Sequence, residues 1–446
     1  MKLAVYVLGR EVGILEPVGR FKSVFTYHAK TSPEDFVSLT MPVRTESYGW
    51  HAPLHPIFQM NLPEGYLLKV LQDEFGPQIG ADPTALLSVI GRHMIGRLQV
   101  AAPGAKLEEA PQAFEVAEVL QGDNSEEAFA ELIRRHATSG VSGVIPKFLE
   151  GQDESVQIGA FNKTTLFTGR YIIKGSSQRL PFVALNEHLC MQVAAKIMPA
   201  TKTDISDDGK ALVVHRFDVD EHGRPRCGME DFCVLLGLPP EDKYKTTWER
   251  IAKALRAHVP GGEQLSSFRH LARTLFLIYA LRNSDCHAKN LALLYTSRAD
   301  VRISPVYDML TTVVYAGYQC NPPGISYLGK KTWQPGKNLQ AFIKDQFGIS
   351  LREQNQMVEE VSDAVSDTIP LVLRAIEEHP EFRDIGKHML LAWEEGVSGL
   401  RDKHLYSLGP WKSSQMLVGI SNPPKLTKPK KIVIGRSEGL GERQIS

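Results

Sequence analysis

The stretch LRNSDCHAKNLALLYTSRADVRISPVYDML, residues 281–310, decides the fold of this chain. Within it, LALLY predicts a strand, TSRAD a turn and VRIS a returning strand. Asn290 precedes the outgoing strand and Asp308 follows the incoming one. Because a hairpin brings its two ends together, we expect the side chains of Asn290 and Asp308 to lie close to each other.

These two side chains have the chemistry of a magnesium clamp. Mg²⁺ prefers oxygen ligands and is usually held by one or two protein side chains together with nucleotide phosphates. Asp285 stands five residues before Asn290. This D-x-x-x-x-N spacing is the one by which kinase catalytic loops place a carboxylate at the substrate hydroxyl and an amide on a metal ion. The spacing alone leaves open that Asp285 caps a turn and Asp308 a helix.

Two further polar residues lie inside this loop. His287 is either a hydrogen-bonded strut or a proton carrier, and the strut is the commoner role of a lone loop histidine. Lys289, four residues after Asp285, either screens a transferring phosphoryl group or is solvated. Both residues are therefore candidate catalytic residues with a structural alternative.

Outward from this segment, the pattern of apolar residues changes several times. Residues 3–27 predict a small β-meander, and residues 64–98 predict helices, with Asp82 and Pro83 as an N-cap and N1 pair. Two short helices are expected between residues 105 and 136. A glycine loop, strands ending in YIIK, a helix from Pro181 to about Met198 and the strand ALVVHRF then follow in the order of a nucleotide-binding lobe. After Met229 the chain reads as mainly helical.

The composition excludes several classes of protein. Lys plus Arg and Asp plus Glu both number 51, so no overall field favours nucleic acid or an anionic membrane surface. Five scattered cysteines without a CxxC pair favour reduced thiols in a cytoplasmic protein. We find neither a signal peptide nor an apolar run of the roughly 20 residues that span a bilayer. A cytoplasmic protein without a membrane partner is therefore expected.

SDCHAKN followed by SPVYDM resembles the catalytic loop and the metal-binding aspartate of HipA-like kinases. Further matches run in the same order along nearly the whole chain, which makes the resemblance more specific than any one motif. They are GREVGIL, NLPEG, IGRHMIGRLQV, SGVSGVIPK, YIIK, NEHLCMQVAAKI, VVHRFD and MEDFCVLLG. The resemblance implies that Asp285 is the catalytic base, that Asn290 and Asp308 hold Mg²⁺, and that Lys174 holds the nucleotide phosphates. Glu187 either pairs with Lys174 or faces the surface.

The glycine loop TSGVSGVIPK matches the family's phosphate-covering and autophosphorylated segment. This implies nucleotide contacts from Ser142, Gly143 and Lys147. Gly140 stands where the first serine of the family pattern is expected, which makes autophosphorylation at that position impossible, while Ser142 or Ser139 can substitute. The alternative is a flexible linker.

Two further segments each allow a functional interpretation and a simpler structural one. His215 and Phe217 close the strand ALVVHRFD and match the family's hinge, where backbone groups meet the adenine, although Phe217 equally suits a core. GISYLGKK, residues 324–331, nearly spells a P-loop, but Lys331 stands where Ser or Thr would ligate Mg²⁺. We interpret it as a turn beside a β segment.

We therefore expect an α+β, protein-kinase-like two-lobed fold. Its units would be an N-terminal β-rich subdomain (1–104), a nucleotide-binding N-lobe (105–228), a largely helical C-lobe with the catalytic loop (229–420) and a flexible basic tail (421–446). The expected activity is transfer of the γ-phosphoryl group of ATP, with Mg²⁺, to a Ser or Thr of a protein.

The resemblance implies more about partners. HipA-like toxins phosphorylate aminoacyl-tRNA synthetases, cause growth arrest and persistence, and are neutralised by a helix-turn-helix HipB-like antitoxin, through which alone they meet DNA. Two alternatives stay open: a small-molecule kinase of the aminoglycoside-phosphotransferase kind, and a non-catalytic regulator that keeps the fold. The N-terminal strands and the glycine loop count against the first, and the intact set of candidate site residues counts against the second.

Overall fold

A computed structural model gives the fold of the chain. It describes residues 1–19, 22–60, 62, 83–105, 107, 115–138, 145–147, 164–402, 406, 408 and 411. The helix expected in EGYLLKVLQDEF, the strands FLEG and VQIGAFN, and the tail 421–446 lie outside the described residues.

The first unit is a five-stranded antiparallel sheet with strand order β4-β3-β2-β1-β5. Its strands are β1 Leu3–Val7, β2 Arg10–Pro17, β3 Ser23–Tyr27, β4 Tyr48–Trp50 and β5 Leu98–Ala101. Between β4 and β5 the structure has α1 Pro56–Gln59 and α2 Pro83–Ile90. The predicted meander is confirmed. Pro83 opens α2, where its missing N–H removes no helical hydrogen bond.

The second unit is a five-stranded sheet with strand order β6-β7-β8-β10-β9. Its strands are β6 Ile145–Lys147, β7 Thr164–Phe167, β8 Tyr171–Gly175, β9 Thr203–Ile205 and β10 Ala211–His215. Three helices belong to this stretch of the chain: α3 Val116–Gln121, α4 Glu126–Thr138 and α5 Val183–Ala195. The two helices expected before residue 136 and the helix after Pro181 are therefore confirmed.

The third unit contains a three-stranded antiparallel sheet of β11 Gly228–Asp231, β12 Ala292–Tyr295 and β13 Val301–Ile303. Its helices are α6 Phe232–Leu235, α7 Trp248–His258, α8 Gly261–Leu281, α9 Gly336–Phe347, α10 Leu351–Ser366, α11 Ile369–Glu378 and α12 Arg383–Leu400. The mainly helical prediction and the β12–β13 hairpin are both confirmed. Within the described part of the chain, none of the helices combines the length and the hydropathy that a bilayer crossing requires.

Helix α8 is the centre of the third unit and determines where the catalytic loop begins. From Thr274 to Leu281 every residue is buried, because α8 lies among the other helices instead of at the surface. Burial of each large apolar side chain contributes roughly 1.5–3 kcal/mol. A Cβ atom on Gly396 of α12 would lie 2.3 Å from the carbonyl oxygen of Ala280, so the two backbones touch. The end of α8 is therefore rigidly held.

A fully buried carboxylate joins the first unit to the third. Glu230 on β11 accepts hydrogen bonds from the Ser38 hydroxyl (2.7 Å), the Leu39 amide (2.7 Å) and the Tyr295 hydroxyl (2.6 Å). Burial raises the pKa of Glu230, and these three donors oppose that rise. The contact attaches the N-terminal sheet to the strand that pairs with β12, next to the catalytic loop.

Candidate active site

The β12–β13 hairpin brings Asn290 and Asp308 together, as its sequence predicts. The strands pair in the register Leu293 with Ile303, and the Asn290 side-chain amide donates a hydrogen bond to Asp308 Oδ2. The side-chain oxygen of Asn290 accepts the backbone N–H of His287 at 3.0 Å, so the amide is held by its own loop. Two oxygen-bearing side chains therefore lie side by side at the open end of the hairpin.

Asp308 has a left-handed backbone conformation, with φ of 61°. This region costs an L-residue roughly 1–2 kcal/mol, and Asp is one of the few residue types that visits it. Backbone strain of this kind concentrates at functional sites, where neighbouring contacts maintain it. At Asp308 the contacts that oppose relaxation are the hydrogen bond from Asn290 and an ion pair with Lys174.

Lys174, at the end of β8, links the second unit to this hairpin. Its ammonium group lies 2.5 Å from Glu187 Oε1 on α5 and 2.7 Å from Asp308 Oδ1. The side chain of Glu187 is 2% exposed and that of Lys174 is 13% exposed. The surface-facing alternative for Glu187 is therefore wrong, because α5 turns this carboxylate inward onto the lysine.

The loop that carries Asp285 begins where α8 ends. Arg282 caps α8 in a left-handed conformation, and its carbonyl accepts a hydrogen bond from the Thr312 hydroxyl, which in turn accepts the backbone N–H of Ser284 at 2.7 Å. The backbone N–H of Asp285 donates to Asn283 Oδ1 at 2.9 Å. Asp285 itself is 5% exposed. The base candidate is thus held by the rigid end of α8.

A second segment supports this loop from behind. A Cβ atom on Gly324 would lie 2.3 Å from the carbonyl oxygen of Cys286 and 3.0 Å from that of Ser284, so only glycine allows this approach. GISYLGKK thus packs against the catalytic loop, and its end forms a turn in which Tyr327 pairs with Lys330, as predicted. Lys331 donates to the Gly324 carbonyl oxygen at 2.6 Å.

The two other loop candidates have mainly local contacts. His287 is 6% exposed, and its ring meets the ring of Tyr244 edge to face at 4.9 Å between centroids. The Lys289 ammonium group lies 3.4 Å from the carbonyl oxygen of Met60, in the first unit, while the Lys289 carbonyl accepts the Tyr307 hydroxyl at 2.7 Å. The first contact holds the His287 ring against Tyr244, and the second connects Lys289 to the N-terminal unit; the catalytic roles of both residues stay predictions.

Two buried groups beside the site, the Cys286 thiol and the Tyr307 phenol, have raised pKa values. Burial raises the pKa of the Cys286 thiol, and the negative charges of Asp285 and Asp308 raise it further. Burial likewise raises the pKa of the Tyr307 phenol, with additional contributions from Asp231 and Asp308. Cys286 is therefore a neutral thiol at physiological pH and not a nucleophile.

The strand ALVVHRFD ends at His215, and the residues after it anchor the first unit. His215 Nε2 lies 2.6 Å from Asp204 Oδ2 on β9. Asp218 is 2% exposed and accepts two hydrogen bonds from Arg216 and one from the Gly96 amide at 2.7 Å. Burial alone would raise the pKa of Asp218, but the Arg216 guanidinium and these hydrogen bonds outweigh it and lower the pKa.

Phe217 is partly buried and belongs to a small apolar cluster beside the hairpin. Its ring lies 6.0 Å from the ring of Tyr307, and the cluster also contains Cys227, Met229, Ala292 and Leu294. Phe217 therefore packs against this cluster with part of its ring exposed, and its contact with a nucleotide stays a prediction.

The candidates of the glycine loop fall largely outside the described residues. Ser139, Ser142 and Gly143 are not among them, while Lys147 ends strand β6. The register pairs Lys147 with Thr165 and Thr165 with Lys174. Lys147 and Lys174 therefore lie in the same row across the sheet. Their backbones are two strand spacings apart, which is roughly 10 Å.

Sequence reasoning missed three residues of this region. Tyr244 donates a hydrogen bond to Asp285 Oδ1 from 41 residues away, Glu230 fixes the N-terminal sheet, and Asp218 fixes the segment around Gly96. Asp218 carried a usable signal, since it directly follows the mainly apolar segment ALVVHRF, whereas Glu230 stands in the strand GMED and gave none. Tyr244 stands in the irregular segment PPEDKYKT and gave none.

In this chain a five-stranded sheet carries Lys174, which pairs with Glu187 of helix α5. A mainly helical unit with an Asp-Asn loop and a later aspartate follows, and this combination defines a protein-kinase-like fold. Family comparisons identify the chain further. The family described as HipA-like C-terminal domain matches residues 139–369, and the HipA N-terminal domain matches residues 3–101. The chain belongs to the HipA family of kinase-like proteins.

Individual relatives agree with this assignment. The chain is 25% identical over 337 residues to the Sinorhizobium fredii protein named "Putative kinase Y4dM", covering 70% of this chain and 78% of that protein. It is 27% identical over 168 residues to a "Putative kinase" of Haemophilus influenzae, of which it covers 46%. Among solved structures, HipA of Shewanella oneidensis, determined with HipB and operator DNA, has a TM-score of 0.65 at 16% identity, covering 91% of this chain and 98% of that one. At that identity the match shows the shared fold.

Proposed function

We propose that this chain is an ATP-dependent kinase that phosphorylates Ser or Thr hydroxyl groups of a protein. The observation that carries the proposal is the cluster in which Lys174 joins Glu187 to Asp308 while Asp308 also binds Asn290. The residues of this cluster come from β8, from α5 and from the two ends of the hairpin. Phosphoryl transfer needs positioning and charge neutralisation more than covalent chemistry, and this cluster supplies both.

The donor set of Asp308 and Asn290 suits Mg²⁺. Within the described ranges, no group of three or more His, Cys, Asp and Glu side chains could hold a metal ion by itself. A cation at Asp308 and Asn290 therefore needs further oxygen ligands, and nucleotide phosphates are the usual source for Mg²⁺. Bound there, Mg²⁺ would neutralise charge on the phosphates.

Each remaining residue has a distinct role in this proposal. Lys174 binds phosphate oxygens, and Glu187 keeps its ammonium group in place. Asp285 accepts the proton of the attacking hydroxyl group. Contacts with the end of α8 and with Gly324 hold the loop of Asp285 next to the hairpin, where this role requires it. Ser142, Gly143 and Lys147 would cover the phosphates, and the backbone at His215 and Phe217 would meet the adenine.

We further propose the partners of the chain from its family. The structure of Shewanella oneidensis HipA contains HipB and operator DNA. By this likeness, a HipB-like helix-turn-helix antitoxin would bind this chain in the cytoplasm, and DNA would be met only through it. An aminoacyl-tRNA synthetase is the proposed substrate class, and its phosphorylation would arrest growth.

Incubation of the purified chain with γ-labelled ATP, Mg²⁺ and a bacterial lysate tests the kinase proposal. We expect label on polypeptide with the wild type, and at least a 100-fold loss with Asp285→Ala, since a general base contributes on the order of 10²–10⁴-fold. Asp363→Ala, an exposed carboxylate on α10, is the matched control and should keep full activity. Label found only on small molecules would favour the aminoglycoside-phosphotransferase alternative, and unchanged labelling by Asp285→Ala would refute the assigned base.

A further inference from the structure

The segment 239–247 packs directly against the catalytic loop. The backbone N–H of Ala288 donates to the Lys243 carbonyl at 3.1 Å. At its other end the segment is held by a parallel bridge between Thr247 and Ser326 and by Trp248, which is 1% exposed. The segment is thus held at its middle and at its C-terminal end, and within it the structure has a single turn of 3-10 helix, Pro240–Asp242.

This arrangement places Tyr244 on the candidate base. The Tyr244 hydroxyl donates a hydrogen bond to Asp285 Oδ1, and its ring meets the His287 ring edge to face at 4.9 Å. The ammonium group of Lys243 lies 5.6 Å from the centre of the same ring. The tyrosine is partly exposed, whereas Asp285 is 5% exposed. A buried carboxylate is therefore oriented by a side chain from a different part of the chain.

We propose that Tyr244 is a positioning residue for phosphoryl transfer, acting through Asp285. This proposal rests on the kinase function proposed above. A hydrogen bond to an ionised carboxylate is among the stronger hydrogen bonds in proteins, so it fixes the rotation of the Asp285 carboxylate about its last torsion. A carboxylate offers about four lone-pair sites, so Asp285 can accept the hydroxyl group of a substrate while it is bound to Tyr244.

The same contact could instead be inhibitory. In that role the Tyr244 hydroxyl occupies the position of the substrate hydroxyl group on Asp285 and prevents the substrate from binding there. The two roles predict opposite effects of removing the hydroxyl group. A positioning residue slows transfer when it is removed, because the base then samples unproductive orientations. A blocking residue accelerates transfer when it is removed.

Tyr244→Phe tests the proposal, because it keeps the ring against His287 and deletes only the hydroxyl group. The full-length chain in excess over γ-labelled Mg·ATP would be mixed with the bacterial lysate as the source of acceptor hydroxyl groups and followed for single-turnover transfer of the label to polypeptide. The Kd of Mg·ATP would be measured by calorimetry. Tyr48→Phe is the matched control, since the Tyr48 hydroxyl donates to the Pro42 carbonyl at 2.5 Å in the N-terminal unit.

We expect the single-turnover rate of Tyr244→Phe to fall about 10-fold, part of the 10²–10⁴-fold that a general base contributes. Its Kd for Mg·ATP should stay within about twofold of wild type, because the contacts of Lys174 and Asp308 are untouched, and Tyr48→Phe should match wild type in both. A rate equal to or above that of wild type overturns the positioning role, and so does an equal loss in rate and in Mg·ATP affinity. A wild type that labels no polypeptide contradicts the kinase function, and the role of Tyr244 falls with it.

Discussion

Variants of the ion pair between Lys174 and Glu187 can separate its contribution to folding stability from the proposed role of Lys174 in phosphoryl transfer. Lys174→Met removes a positive charge that contacts the carboxylates of both Glu187 and Asp308. Because both carboxylates contact one ammonium group, at 2.5 and 2.7 Å, the two contacting oxygens lie at most about 5 Å apart. Two unit charges at that distance repel by about 3 kcal/mol at an effective dielectric constant of about 20.

We therefore expect Lys174→Met to lower the free energy of unfolding by about 3 kcal/mol, at the low end of the range for a broken buried pair. Glu187→Leu leaves Lys174 paired with Asp308 and should cost about 1–2 kcal/mol. The double variant replaces the pair by two apolar side chains of similar size. It should recover most of the stability lost in Lys174→Met, because such replacements are often neutral.

Urea unfolding of the wild type, both single variants and the double variant gives the coupling energy, which should be about 3 kcal/mol. Labelled-ATP transfer measured on the same four proteins separates the two roles. The double variant should be stable yet inactive, because nothing replaces Lys174 at the phosphates. A coupling energy near zero would refute the electrostatic argument, and an active double variant would refute the role of Lys174.

Two further changes test the surroundings of the site. Gly324→Ala should reduce phosphoryl transfer on the order of 100-fold, because its Cβ atom would displace the backbone of the Asp285 loop; Gly262→Ala, where no atom lies within 4 Å, should not. Glu230→Gln should be less stable than the wild type, and the difference in stability should be smallest at high pH. The raised pKa of Glu230 means that the folded state binds its proton more tightly than the unfolded state, so the wild type loses stability as pH rises above about 4.3, and a neutral Gln does not. Melting temperatures of both proteins at pH 5 and pH 8 check this sign, and a parallel pH dependence would contradict it.

Local sequence patterns account for much of the fold and for one half of the site. The apolar run LALLY, the polar turn and VRIS are short-range signals, and they predicted the contact between Asn290 and Asp308. The helix after Pro181 could likewise be read from its apolar spacing. Its inward-facing Glu187 could not, because α5 is buried on nearly all sides and therefore shows no polar face to compare with.

The remaining contacts join distant parts of the chain. Lys174 and Asp308 are 134 residues apart, and Tyr244 and Asp285 are 41 apart, with no pattern in either segment that signals the partner. The attachment of Glu230 to Ser38 spans 192 residues. Such pairs depend on how whole units pack, so a single sequence supports them only through family resemblance, as it did for Lys174.

Calorimetric titration of ATP into Asp308→Ala, with and without Mg²⁺, tests the shared cation site most directly. Asp300→Ala, which removes a carboxylate from the exposed turn of the same hairpin, is the control and should bind as wild type does. We expect the wild type to bind ATP more tightly with Mg²⁺ and Asp308→Ala to lose that gain, by at least about 10-fold in Kd. An undiminished Mg²⁺-dependent affinity in Asp308→Ala would contradict the pairing of Asp308 with Asn290 as the metal site.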